Sequence, residues 1–276
     1  MSNTVAGLTA RYAELLQNSS DTPLLDGQIL LCHLLGKTRD WVYAYGDESL
    51  SDKQLACLDK LVARRSAGEP IAYITGTRSF WTHEFKVTRD TLVPRPETEI
   101  LVETVLDLLD ETPKTVLDLG TGSGAIAISL AAARSNWHIT GVEISQPALA
   151  VAQENGAHLP NVHWVQGSWF DDIHEPVDLI ISNPPYIAEG DTHLGNLSFE
   201  PGLALIAGRD GLDCIRDIIA DCADYLRGDG HIIIEHGYDQ QTSVIQLFEQ
   251  SGFAKITPLL DLQQQPRAVL AKRELD

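Results

Sequence analysis

Thr115-Val-Leu-Asp-Leu-Gly-Thr-Gly-Ser-Gly-Ala-Ile-Ala-Ile-Ser-Leu-Ala-Ala-Ala133 carries the pattern on which the fold turns. The opening Thr115–Leu119 is a short apolar, β-branched run and reads as a strand; Ala125–Ala133 reads as a helix. Between them Gly120, Gly122 and Gly124 alternate with Thr121 and Ser123. Glycines let the backbone turn sharply and approach a ligand without a Cβ in the way, and the helix behind them begins with free N–H groups. Strand, glycine loop and helix in that order are one step of an α/β sheet.

Working outward, the same alternation continues. Strands are expected at His138–Glu143, Val162–Val165, Val177–Ser182, His231–Glu235, Lys255–Leu260 and Ala268–Ala271, and helices at Pro147–Ala157, Leu212–Leu226 and Thr242–Gln250. Continuous apolar runs such as Val177-Asp-Leu-Ile-Ile and Ile232-Ile-Ile suit strands covered on both faces. The expectation is an α/β fold, a doubly wound, mostly parallel, seven-stranded Rossmann-like sheet over 95–276. Residues 1–70 read instead as a small helical bundle. Leu8, Tyr12, Leu15 and Leu16 share one helical face, Pro23 starts a second helix that Gly36 ends, Trp41, Val42 and Tyr45 mark a short third element, and Ser51 precedes a fourth. Over 71–94, Ile71–Thr75 and Phe80–Val87 are rich in aromatic and β-branched residues with Gly76 between them, which predicts a hairpin-like connector. Pro96 then begins a helix, with Glu97 and Glu99 near its positive end.

The 276 residues are 43% hydrophobic and 21% charged, an ordinary globular balance. The formal net charge of −19 disfavours nonspecific contact with a nucleic-acid backbone and suits a protein partner or a small ligand. Cys32, Cys57, Cys214 and Cys222 include no close pair, so reduced thiols are expected. The N-terminal stretch lacks the features of a signal peptide, and no run approaches the ~18 apolar residues of a membrane span, so a cytoplasmic protein is expected. The nine histidines have no metal-ligand spacing, and no metal is expected.

Glu143, at the end of the second strand, stands where a carboxylate can accept hydrogen bonds from ribose hydroxyls. The loop by itself leaves the cofactor open, because Gly120-x-Gly122-x-x-Ala125 also satisfies a relaxed dinucleotide pattern. Asn183-Pro-Pro-Tyr186, directly after the strand Val177–Ser182, separates the readings. A methyl transfer to an amide nitrogen must overcome delocalisation of the lone pair into the carbonyl. A site can do so by accepting both N–H groups, one on the Asn183 side-chain carbonyl and one on a main-chain carbonyl, that of Pro184. Pro184 and Pro185 fix their own φ and extend the residues before them, so the acceptors are held in a set direction. Tyr186 offers a flat face to a planar group. The plainer reading, a helix cap and turn, has less use for this motif at the end of a central strand.

Asp118–Ile128 and Ser182–Ile187 resemble the HemK/PrmC family of release factor glutamine N5-methyltransferases. So do Ser79–Phe85, Val93–Glu99, Gly167–Phe170, Phe199–Pro201 and Ile234–Gly237. The resemblance implies S-adenosylmethionine as cofactor and peptide chain release factors as partners, with the glutamine of a Gly-Gly-Gln tip as the methylated residue. It implies that Gly120, Thr121, Gly122, Ser123 and Gly124 cradle the methionine part, that Glu143 holds the ribose and that Trp169 lies beside the adenine. Asn183, Pro184, Pro185 and Tyr186 would hold the glutamine amide, with Asn183 also against the cofactor and Arg95 and Glu97 near the mouth. Glu143 stands where the family often has Asp, and Asp261–Arg267 lacks the family's glycine-containing pattern. A ribosomal-protein glutamine or a nucleic-acid exocyclic amine is the alternative substrate. His236 is weighed as a positioning residue, and Trp41, Trp81, Trp137 and Trp164 as core.

Overall fold

In the computed structural model the chain divides into two units, 1–77 and 78–276. Residues 3–273 are described, so the outermost positions of the 1–70 and 95–276 spans lie outside the described residues.

The first unit is helical: α1 (Val5–Leu16), α2 (Pro23–Leu35), α3 (Arg39–Ala44), α4 (Asp52–Ser66) and α5 (Ile71–Thr75). Local chemistry sets the ends. Pro23 occupies the first turn of α2, and Gly36 closes it at φ 61°. Ser51 and Gln54 form a reciprocal capping box on α4. Leu8, Tyr12, Leu16, Leu30, Leu31 and Leu58 are fully buried at its centre. Ile71–Thr75 corrects the sequence expectation: it is a helical turn and not a strand. Pro70 precedes it, the Gly76 N–H caps it onto Ala72 O at 2.8 Å, and Gly76 takes φ 81°. Proline before and glycine after are helix punctuation, and here they override the β-favouring side chains.

The hairpin lies after that helix. It consists of β1 (Thr77–Phe80) and β2 (His83–Lys86), which pair as a two-stranded sheet turning at Trp81, φ 53°. A single 3-10 turn at Pro96–Thr98 leads into α6 (Glu99–Leu108). There follow β3 (Thr115–Leu119), α7 (Ala125–Ala133), β4 (His138–Glu143), α8 (Gln146–Asn155), β5 (Val162–Gln166) and β6 (Val177–Ser182). The unit ends with α9 (Asp213–Tyr225), β7 (Leu226–Glu235), α10 (Gln241–Gln250), β8 (Lys255–Leu260) and β9 (Pro266–Lys272).

Seven strands form one sheet in the order β5-β4-β3-β6-β7-β9-β8. All neighbours are parallel except β9, which runs antiparallel to both β7 and β8. Alternate residues feed two cores. Leu117, Leu119, Ile180, Ile232 and Ile234 pack with α9 and α10 on one face. Val116, Leu179, Ile181 and Ile233 pack with α6 and α7 on the other. Burial on both faces explains the unbroken apolar runs. Among the described residues no helix is long and apolar enough to cross a membrane.

The register places the site. Leu119 pairs with both Val142 and Ser182, and Ser182 pairs with Ile234. The next residue on each strand is Gly120, Glu143, Asn183 or Glu235, so four positions distant in sequence share one rung at the carboxyl edge. The strand order reverses between β3 and β6, and open α/β sheets bind ligands at such a point.

Candidate active site

The glycine loop leaves β3 through three left-handed residues, Gly120, Gly122 and Gly124, at φ 70°, 58° and 83°. The N–H groups of Gly120 and Thr121 both donate to Val142 O at 2.9 Å. Glu143 ties the loop to the end of β4, because its carboxylate accepts from Gly122 N at 2.9 Å and from Ser145 N at 2.8 Å. Each oxygen keeps a further lone pair. Burial raises the Glu143 pKa, and these backbone N–H groups offset part of the rise. Behind the loop Asp118 is fully buried and accepts from Thr121 Oγ1 at 2.5 Å and Ala127 N at 3.1 Å. Burial pushes its carboxyl up to about 7, and its Oδ1 has no hydrogen-bond partner.

In front of the loop lies a cleft with about 900 Å³ of empty space, part of it open to solvent. Gly120, Gly122, Glu143, Trp169, Asn183 and Pro185 line it. Thr121, Ser123 and Gly124 do not; they build the loop from behind. Thr121 holds Asp118, Ser123 O accepts from Asn155 Nδ2 at 2.9 Å, and Gly124 faces the packed interior. A Cβ on Gly124 would come within 2.9 Å of the Trp164 ring. Gly141 and Gly156 meet the same indole, at 2.6 and 2.7 Å, so Trp164 fills the space that three glycines leave. Trp169 sits at φ 45°, a strained value for a bulky residue, with its ring 3.6 Å from the Cβ position of Gly120.

The Asn183–Tyr186 turn divides two spaces. Asn183 and Pro185 face the cleft, while Asn183, Pro184 and Tyr186 line an adjoining cavity of about 600 Å³ shared with Arg95 and Leu197. Asn183 Nδ2 donates to Thr98 Oγ1 at 3.1 Å. Tyr186 O–H donates to Glu235 Oε1 at 3.2 Å. Burial and the adjacent carboxylate raise the tyrosine pKa, and burial pushes Glu235 up to about 7. Gln240 Nε2 pins the Tyr186 carbonyl at 3.0 Å, and Gly211 runs so close to that carbonyl that a Cβ would collide with it. Arg95 Nη2 is ion-paired with Glu200 Oε1, and Glu200 Oε2 accepts from Val93 N at 3.1 Å. One buried carboxylate therefore fixes the segment that carries Arg95.

Residues 8–76 match the model of the PrmC N-terminal domain and residues 96–197 that of the methyltransferase small domain. The release factor glutamine methyltransferase of Vibrio cholerae is 42% identical over 97% of this chain and 96% of its own length. The chain belongs to the release factor glutamine methyltransferase family. The Escherichia coli member is 40% identical over 92% of this chain and 94% of its own. A methyltransferase from Pyrococcus furiosus shares the fold, with a TM-score of 0.54 and 17% identity, over 77% of this chain and 98% of that one.

Several residues of this family member's site have no role assigned from sequence, although Thr98, Glu200 and Glu235 lie in stretches that resemble the family. Thr98 and Glu235 contact the Asn183–Tyr186 turn, Glu200 braces Arg95, and Ile144, half exposed, lines the cleft beside Glu143. Ile144 could have been found, since it follows the strand-ending acid. Glu97 lines a separate groove with Glu103 and Asp261, and its charge also reaches Glu235. The atypical stretch 261–267 closes on itself: Asp261 Oδ1 accepts from Gln263 N and Gln265 N at 2.9 and 3.0 Å, and Oδ2 pairs with Arg267 at 3.2 Å. His236 is buried, with Nδ1 2.8 Å from Gly237 O and Nε2 without a hydrogen-bond partner, and burial lowers its pKa. Of the four tryptophans read as core, Trp137 is fully buried.

Proposed function

We propose that this enzyme methylates the side-chain amide nitrogen of the glutamine in the Gly-Gly-Gln tip of peptide chain release factors. The protein is an S-adenosylmethionine-dependent glutamine methyltransferase by its family and its methyltransferase domain. The cleft fits that cofactor: two glycines without Cβ atoms open onto it, and it holds a strand-end carboxylate with free lone pairs and an aromatic wall. Gly120 and Gly122 would hold its amino-acid end, Glu143 the ribose hydroxyls and Trp169 the side of the adenine. Thr121, Ser123 and Gly124 would act by shaping the loop. When bound, S-adenosylmethionine supplies an electrophilic methyl group.

The chain's own residues prepare the nucleophile. Asn183 carries the reading, because it lines both the cleft and the adjoining cavity with its Nδ2 drawn back to Thr98. Its Oδ1 accepts one N–H of the glutamine amide, and the Pro184 carbonyl accepts the other. Holding both hydrogens favours a pyramidal nitrogen and frees its lone pair. The proline rings keep the two acceptors from reorganising. No strong base is required, since the methylated nitrogen is acidic and sheds its proton readily.

The partner is proposed to be a protein and not a nucleic acid, in keeping with the net charge of −19. The helical N-terminal unit is proposed to grip it. The reaction belongs in the cytoplasm, where the four free cysteines stay reduced. Incubation with radiolabelled S-adenosylmethionine and a release factor tests this. Label is expected on the tip glutamine, and equal labelling of a release factor lacking that glutamine would refute the site.

A further inference from the structure

Apart from the catalytic turn, the cavity beside the cofactor cleft has apolar walls, among them Leu92, Ile187, Leu197 and Leu205, and one charged residue, Arg95. A few placed polar groups in an apolar wall are what orients a ligand. Asn183 is the group for the target amide, which leaves Arg95 without a task.

Arg95 is built in as stiffly as the turn it faces across the cavity lining. Pro94 and Pro96 bracket it, and its own backbone is extended at φ −99° and ψ 141°. Pro94 O accepts from Arg78 Nε at 3.2 Å, and Arg95 O accepts from Thr98 N at 3.1 Å. Glu200, with 3% of its side chain exposed, takes Arg95 Nη2 on Oε1 and the Val93 N–H on Oε2. The guanidinium is therefore fixed at its root and at one edge. It carries five N–H groups in a planar fork. Among the described residues the contact with Glu200 is its single side-chain hydrogen bond, and one third of the side chain is exposed.

The chemistry of the missing acceptor can be narrowed. Glu200 already meets the positive charge, so a second carboxylate would find no net charge to bind, and a neutral acceptor suits the free N–H groups. The target glutamine offers its side-chain oxygen and the main-chain carbonyls on either side of it. Donation to the side-chain oxygen would draw the nitrogen lone pair further into the carbonyl, against the transfer. A main-chain carbonyl has no such effect, and glycine neighbours leave it unshielded by side chains.

We propose that Arg95 is a specificity-determining residue whose free N–H groups take a main-chain carbonyl next to the target glutamine, and that Glu200 is the positioning residue that holds it there. The inference rests on the methyl-transfer reading and adds backbone recognition to it.

Arg95→Lys replaces the fork by a compact ammonium that Glu200 takes up, so the fold is kept and the substrate contact is lost. KM for a release factor is expected to rise about tenfold, the scale of one hydrogen bond to a charged group. The kcat should stay within about twofold, because the contact is equal in ground and transition states. Glu200→Gln frees the guanidinium and should raise KM by a similar factor, and the double variant should rise no further than Arg95→Lys, since both changes remove one contact. Two Gly-Gly-Gln peptides, each with sulfur in place of one carbonyl oxygen flanking the glutamine, read the acceptor directly, because sulfur accepts weakly. One of them should compete with the release factor about tenfold less well than the plain peptide against wild type, and as well as the plain peptide against Arg95→Lys. Cofactor affinity by calorimetry should be unchanged throughout. A wild-type KM in Arg95→Lys, a kcat that falls while KM stays, or the same ranking of the peptides by both enzymes would overturn the proposal. A wild-type enzyme that leaves the glutamine unlabelled would overturn the methyl-transfer reading itself, and this inference with it.

Discussion

Two turns leave neighbouring strands at the same rung of the sheet and are built by opposite means. The loop Gly120–Gly124 is shaped by what is missing: three residues without side chains take left-handed conformations and let backbone line the cleft. The turn Asn183–Tyr186 is shaped by what is added: two rings stiffen it and a carboxamide projects from it. The glycine loop is held by partners close by, in Val142 and Glu143. The proline turn depends on Thr98, 85 positions away, and on Glu235, 49 positions from Tyr186. The shape of the cofactor loop is therefore fixed locally, whereas the turn proposed to hold the substrate amide is fixed from further off in the chain.

Mutations can sharpen or break that contrast. Asn183→Ala should lower kcat by about 10²–10³-fold, the usual loss for a preorganised acceptor or donor, with cofactor affinity retained by calorimetry. Retained methylation would show that the turn is only structural. Glu235→Gln should change stability with a dependence on pH. The folded carboxyl is raised by burial from 4.5 to about 7, among Thr98, Arg267, Tyr186 and Glu97. Its contribution to folding is therefore fully present below pH 4.5 and is lost as pH rises through about 7. The stability of the variant relative to wild type should climb by about 3 kcal/mol between those values and then level, as read by urea unfolding. A flat difference would mean that the carboxyl titrates normally. Gly124→Ala combines a left-handed φ with a clash against Ile128 and Trp164 and should cost about 2–3 kcal/mol of stability. Gly122→Ala has open space around its Cβ and should cost only about 1–2 kcal/mol, from φ alone, with a loss of cofactor affinity because that residue lines the cleft. Equal stability losses at the two glycines would remove the distinction between front and back of the loop.

These effects follow how far each feature was legible in the sequence. The strands Thr115–Leu119, His138–Glu143, Val177–Ser182 and Lys255–Leu260 have the bounds expected from sequence; the first three are buried parallel strands bounded by turns, and the last is an antiparallel edge strand. The glycine loop and the Asn-Pro-Pro-Tyr turn were legible because their chemistry is contiguous. The side chains of Ile71–Thr75 favour an extended chain, and the flanking Pro70 and Gly76 make it a helical turn instead. Thr98 and Glu235 were illegible as partners: nothing local to a threonine at a helix start or a glutamate at a strand end tells which turn it will face. Only the pairing of β6 with β7 brings Glu235 beside Asn183.

The indole of Trp164 has a consequence for how this protein can evolve. Because one ring occupies the room left by Gly124, Gly141 and Gly156, the four positions form a mutually permissive set. A methyl group at Gly141 or Gly156 is excluded while the tryptophan stays; a smaller side chain there leaves Gly156 with contacts no closer than 3.4 Å, while Gly141 still meets Thr121 Oγ1 at 3.1 Å. Gly124 is bound three times over, by the ring, by Ile128 at 2.8 Å from its Cβ position and by its own left-handed backbone. An evolutionary path through this corner of the molecule must therefore shrink the ring before either partner can grow, and the reverse order leads through a poorly folded protein.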